Sequence, residues 1–80
     1  MLKIKDNVDL KELEKFGFED TGLEYEWSDD DGWLYDTIRV AKDYKDIKFI
    51  IYDDFEGMLN ILFDLIQAGL VEKVEEFEND

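Results

Sequence analysis

Hydrophobic and polar residues repeat along this chain with two periods, and the switches between them mark its elements. "LEYEWSD" (residues 23–29) alternates with period two, placing Leu23, Tyr25 and Trp27 on one face and Glu24 and Glu26 on the other, which predicts a strand with one buried side. "WLYDTIRVA" (33–41) predicts a second strand across Asp31-Gly32, a dipeptide suited to the positive φ of a tight hairpin turn. Closing on those two residues pairs Tyr25 with Ile38, Leu23 with Val40 and Glu24 with Arg39; a four-residue loop preserves the same faces. "IKFIIYD" (47–53) reads as a third strand with Ile47, Phe49 and Ile51 toward the core, reached through the polar turn "KDYKD".

Helical signals flank these strands. In "NVDLKELEKFGF" (7–18), Asp9 is an N-cap, Glu12 follows three residues later, Val8 is placed to staple onto Leu13, and Gly17 supplies a left-handed stop, so a helix is predicted over 9–16. "DDFEGMLNILFDLIQAGL" (53–70) is the main helix, capped at Asp53 or Asp54 and stopped at Gly69. Phe55, Met58, Leu59, Leu62, Leu65 and Ile66 form its expected core stripe, and Ile61 and Phe63 widen the apolar arc beyond what one sheet face needs. Either the first helix or a partner must cover the excess. Two ends stay open: "LKIK" (2–5) as a short strand or a frayed terminus, and "VEKVEEFEND" (71–80) as a last strand or a helical turn.

The expected architecture is therefore α+β: a two-layer sandwich in the order helix, three-stranded antiparallel meander, helix and short C-terminal tail, with the helices on one face. Eighty residues make one domain, residues 1–80. Double-stranded-RNA-binding modules use the same helix–sheet–helix order, but they need basic surfaces to meet phosphate. This chain has the opposite sign.

Charge changes the picture most. There are 23 acids against 9 bases and no histidine, giving a formal net charge of −14. Such a surface repels nucleic acid and anionic lipid and attracts basic proteins, so direct nucleic-acid or membrane binding is disfavoured. The charge is also segregated along the sequence. Residues 19–38 hold Glu19, Asp20, Glu24, Glu26, Asp29, Asp30, Asp31 and Asp36 without a base, whereas Arg39, Lys42, Lys45 and Lys48 follow together. One anionic flank made by Glu24, Glu26, Asp29, Asp30 and Asp31 is a candidate docking surface for a basic groove. Trp33 and Tyr35, in phase with Glu26 on the outer face, are candidate contact anchors, because aromatic residues concentrate at binding hot spots. Acids at alternate strand positions stand about 6.7 Å apart, wider than the charge spacing of a duplex, so several elements must converge to imitate DNA.

Other chemistry is poorly served. With Gly32 at the sixth position of a calcium loop, Trp27 falls at the first and Ile38 at the twelfth, so two essential ligands are missing and no metal or other cofactor is expected. Without histidine or cysteine, and with Ser28 as the sole serine, the common nucleophile-and-base arrangements cannot be built; no enzyme is expected. The absence of cysteine suits the cytoplasm, and "MLKIKDNVDLKELEKFGF" lacks the apolar run of a signal peptide.

"LKIKDNVDLKELEKFGF" (2–18) and "LFDLIQAGLVEKVEEF" (62–77) resemble the openings and endings of small phage and prophage proteins of Gram-positive bacteria. In size, acidity and element order the chain is also similar in type to small anti-CRISPR proteins, several of which imitate DNA. The resemblance implies a phage-type inhibitor of a basic, nucleic-acid-binding host protein. The alternative is an accessory or assembly protein that forms a homodimer through the broad apolar arc of its second helix.

Overall fold

The computed structural model describes residues 1–29, 36–52 and 56–74. Its elements are β1 (Leu2–Ile4), a 3-10 helix (Leu10–Phe16), β2 (Glu19–Asp20), β3 (Glu24–Ser28), β4 (Thr37–Ala41), β5 (Ile47–Ile50), α1 (Glu56–Gln67) and β6 (Val71–Lys73). The strands make two antiparallel sheets, a four-stranded meander in the order β2-β3-β4-β5 and a two-stranded ribbon of β1 with β6. This corrects the expected helix, three-stranded sheet and helix. A short strand precedes the meander, and the two ends of the chain form a sheet of their own.

The first helix keeps its expected caps but not its expected type. Asp9 accepts a hydrogen bond from the Lys11 backbone N–H, and Gly17, at φ 93°, donates to the carbonyl of Glu14. Between these caps the winding is 3-10, and the sequence supplies a reason. Leu10, Leu13 and Phe16 recur every three residues, so a helix of three residues per turn stacks all three on one side. Leu13 is fully buried, and the Phe18 N–H returns to its carbonyl, which seats Phe18 in the core as well.

Register across the central hairpin pairs Tyr25 with Val40, Trp27 with Ile38 and Ser28 with Thr37. It is offset by two residues from the tight-turn pairing, so the faces survive while the partners change; the turn itself, at residues 30–35, lies outside the described residues. Leu23 falls just outside β3. It lies instead in the turn between β2 and β3, beside Gly22 at φ 112°, and is 87% exposed rather than inward. In β5, Ile47 is buried but Ile51 lies beyond the strand and is exposed, against expectation.

The core draws on nearly every element: Ile4, Leu13, Phe18, Tyr25, Ile38, Val40, Ile47, Met58 and Leu65. Trp27 ties the layers together on the inner face. Its indole lies within 3.3 Å of the position a Cβ on Gly17 would take, and within 3.6 Å of that on Gly57. One ring therefore touches both the end of the 3-10 helix and the first turn of α1.

β1 fastens the ribbon to the meander. Its partners in β6 run from Leu2 with Lys73 to Ile4 with Val71, while the Ile4 N–H donates to the Lys45 carbonyl. Lys45 itself adopts φ 60°, a conformation that costs a non-glycine residue on the order of 1 kcal/mol. Its ammonium offsets that cost by donating to the carbonyls of Asp6 (3.0 Å) and Val8 (2.8 Å), clamping the N-terminal loop onto the β4–β5 turn.

Candidate anionic sheet face

Cross-strand partners share a face of a sheet, so the register lays out the outer side of the meander row by row. One row runs Glu19, Glu26, Arg39 and Lys48 across all four strands. A neighbouring row places Glu24 opposite Ala41. Glu24 and Glu26 thus do share the outer face of β3 as their spacing implied, but both turn toward one base. Arg39 Nε lies 3.2 Å from Glu26 Oε2 and 3.7 Å from Glu24 Oε1.

The segregation of charge along the sequence is therefore folded into pairing. Besides Arg39, Lys42 Nζ reaches Asp20 Oδ1 at 2.7 Å and stands 5.4 Å from the centre of the Tyr25 ring. Lys45 is spent on backbone carbonyls, and Lys48 stands exposed next to Arg39 on the outer row. The outer face is bipolar, acidic toward the β2 edge and basic toward β5.

Asp29 belongs to the architecture more than to that face. Its Oδ2 lies 2.7 Å from where a Cβ on Gly57 would stand, which puts the carboxylate against the first turn of α1, where the helix dipole favours negative charge. Glycine at position 57 leaves the room. Asp36, the last acid of the base-free stretch 19–38, is buried and accepts a hydrogen bond from the Tyr52 backbone N–H at 2.8 Å. Asp30, Asp31, Trp33 and Tyr35 lie outside the described residues.

Of the β2 acids, both already within the base-free acidic stretch of the sequence, Glu19 joins the outer face and Asp20 falls on the side of Tyr25. Glu19 stands directly opposite Glu26, and Asp20 opposite Tyr25. The signal for β2 was the Asp20-Thr21-Gly22 turn: the Gly22 N–H donates to Asp20 Oδ1, and Thr21 bonds the Glu24 carbonyl through both its N–H and its hydroxyl. An open hollow of about 460 Å³ lies at this end of the outer face, between the turn at Gly22 and Leu23 and the turn at Asp43 and Tyr44. Leu23 and Tyr44 are both strongly exposed beside it.

The Lys42 contact, and after it the Gly22 N–H, hold the Asp20 carboxyl below its ordinary value of 3.8. A depressed folded-state pKa contributes stability above the unfolded value and loses it as pH falls through the folded one. Asp20→Asn is accordingly expected to melt below the parent at pH 7, with the two melting temperatures converging as the pH drops through 3.8 and below. A gap that persists unchanged at pH 2 would mean that the ion pair is not its source. Asp6, held low by Lys3, titrates in the same direction.

Among the described residues no group of three or more acids is gathered to hold a metal ion, and no helix is long and apolar enough to cross a membrane. No protein-family model, curated protein or solved structure matches this chain.

Proposed function

We propose that this chain is a non-enzymatic, phage-type binding protein of the bacterial cytoplasm. Its anionic sheet face occupies the basic nucleic-acid site of a host protein in place of DNA or RNA. One observation carries the reading. On a chain of net charge −14, Glu24 and Glu26 both turn to the single guanidinium of Arg39, while Glu19 of the neighbouring strand stands directly opposite Glu26. Like charges facing each other across a sheet oppose folding. Their excess gives the fold nothing, and it suits a surface that meets cations supplied by a partner. The second acidic strand also bears on the spacing problem, since β2 sets Glu19 beside Glu26 of β3. The exposed Leu23 and Tyr44 next to the same face are apolar contacts of the kind a binding surface uses.

Glu19→Lys tests the reading because it separates folding from binding. Replacing the like-charge pair by an opposite one is expected to stabilise the fold by about 0.2–1 kcal/mol, raising the melting temperature by a few degrees. The same variant is expected to lose capture of its partner. The experiment immobilises parent and variant, exposes both to a bacterial lysate, and competes with duplex DNA and with salt. A nucleic-acid-binding protein retained by the parent, displaced by DNA and by salt, and not retained by Glu19→Lys supports the proposal. Retention indifferent to DNA, or equal on both columns, removes it.

A further inference from the structure

We infer that the outer face of α1 is the contact between two copies of this chain, which meet helix against helix in an antiparallel, two-fold arrangement. Met58 and Leu65 turn into the core, with Ile61 packed against it. The remaining arc does not. Leu59, Phe63 and Ile66 are 48%, 59% and 50% exposed, and with Leu62 they line an open hollow of about 390 Å³ on the helix surface. The spacing i, i+3, i+4, i+7 makes these four one stripe. Among the described residues neither the 3-10 helix nor β6, which both pack on α1, covers it.

Charge decides the occupant. In a chain where 40% of residues are charged, the stretch from Gly57 to Val71 holds one charged side chain, Asp64. Two copies at −14 each repel one another wherever acids face acids. They can close only where neither presents any, and a charge-depleted, Leu- and Phe-bearing patch is the composition of an interface core. Leu23 and Tyr44, strongly exposed on turns of the meander, flank a hollow whose walls carry Glu24, Lys42, Asp43, Asp46 and Lys48. The stripe is also self-complementary. Its four positions are symmetric about the point between Leu62 and Phe63, so antiparallel pairing lays Leu59 on the partner's Ile66 and Leu62 on the partner's Phe63 without bringing Asp64 onto its own copy. That is the isologous geometry a two-fold dimer requires.

Area sets the strength. Three half-exposed side chains offer roughly 100 Å² apiece, well under the roughly 800 Å² per partner of a standard interface, so the dimer is weak and concentration-dependent. It does not rest on the proposed function, since it uses the opposite chemistry and a different face.

Sedimentation velocity of the full chain from about 10 μM to 1 mM, at low and at high sodium chloride, tests it. The weight-average mass is expected to rise from 9.6 kDa toward twice that value with concentration, and to rise further at high salt as repulsion between the copies is screened. Phe63→Glu and Leu59→Lys are expected to stay at the monomer mass throughout while keeping the parent's circular dichroism and melting temperature. A parent that remains monomeric at 1 mM and high salt, or variants that follow the parent's mass curve, would overturn the inference and leave the stripe to a different protein. Glu19→Lys is expected to follow the parent's curve, so failure of the dimer and failure of the anionic face are separate results.

Discussion

Leu65→Ala is expected to lower the unfolding free energy of this chain by about 3 kcal/mol, and Leu59→Ala by less than about 1 kcal/mol, although the two residues lie on one helix within two turns of each other. Leu65 has no exposed surface and belongs to the core cluster, so truncation leaves a cavity among side chains from other elements. Leu59 is about half exposed, and water fills the space its side chain vacates. For a domain of this size, total stability is on the order of 4–12 kcal/mol, so the first substitution removes a large part of it. Urea unfolding followed by far-ultraviolet circular dichroism measures both. Equal losses would mean that Leu59 is buried in solution, as it would be if two copies stay joined at the concentration of the assay. Dilution separates that outcome from a misplaced helix, because only the dimer contribution depends on concentration.

Gly17→Val is expected to cost roughly 2–3 kcal/mol, and Gly22→Val roughly 1–2 kcal/mol. Both glycines lie at positive φ, 93° and 112°, where a β-branched residue is strained whatever surrounds it. The difference comes from the neighbour. A Cβ on Gly17 would stand 3.3 Å from Trp27 Cδ1, whereas one on Gly22 meets nothing within 4 Å. Because Trp27 also packs against Gly57, pushing the indole disturbs the start of α1 as well. The indole N–H resonance of Trp27 reports this directly: Gly17→Val is expected to move it and Gly22→Val to leave it in place. A shift of equal size in both variants would place the cost in the backbone alone and remove Trp27 from its bridging position.

The hairpin shows where sequence reading of the candidate face succeeds and where it stops. Alternation put Glu24 and Glu26 together on the outer side of β3, and it kept Tyr25 and Trp27 inside, because period two is a property of the strand itself. The tight-turn pairing also set Arg39 opposite Glu24 on that outer side. The observed register, offset by two residues, sets Arg39 opposite Glu26 instead and leaves its guanidinium within reach of both glutamates. Asp29 and Asp36 look like further members of an acidic flank in one dimension. In three they serve the first turn of α1 and the Tyr52 backbone. β2 was readable from Asp20-Thr21-Gly22, but two residues are too few to show a period, and they count as a strand only because β3 stands beside them.

By itself the sequence determined what acts over one turn or one pleat. It set the Asp9 cap and the Gly17 stop, the stop at Gly69, the inward phase of Tyr25, Ile38 and Val40, and the sign of the surface. Tertiary structure alone decided the pairing of β1 with β6, which joins opposite ends of the chain. It also decided the exposure of Leu59, Phe63 and Ile66, and the neutralisation of Glu26 and Asp20 by bases from the next strand and turn. The reason is one of range. Caps and periodicities are satisfied by residues three or four positions away, whereas burial and charge depend on what stands opposite, and that is fixed only when the whole chain has closed.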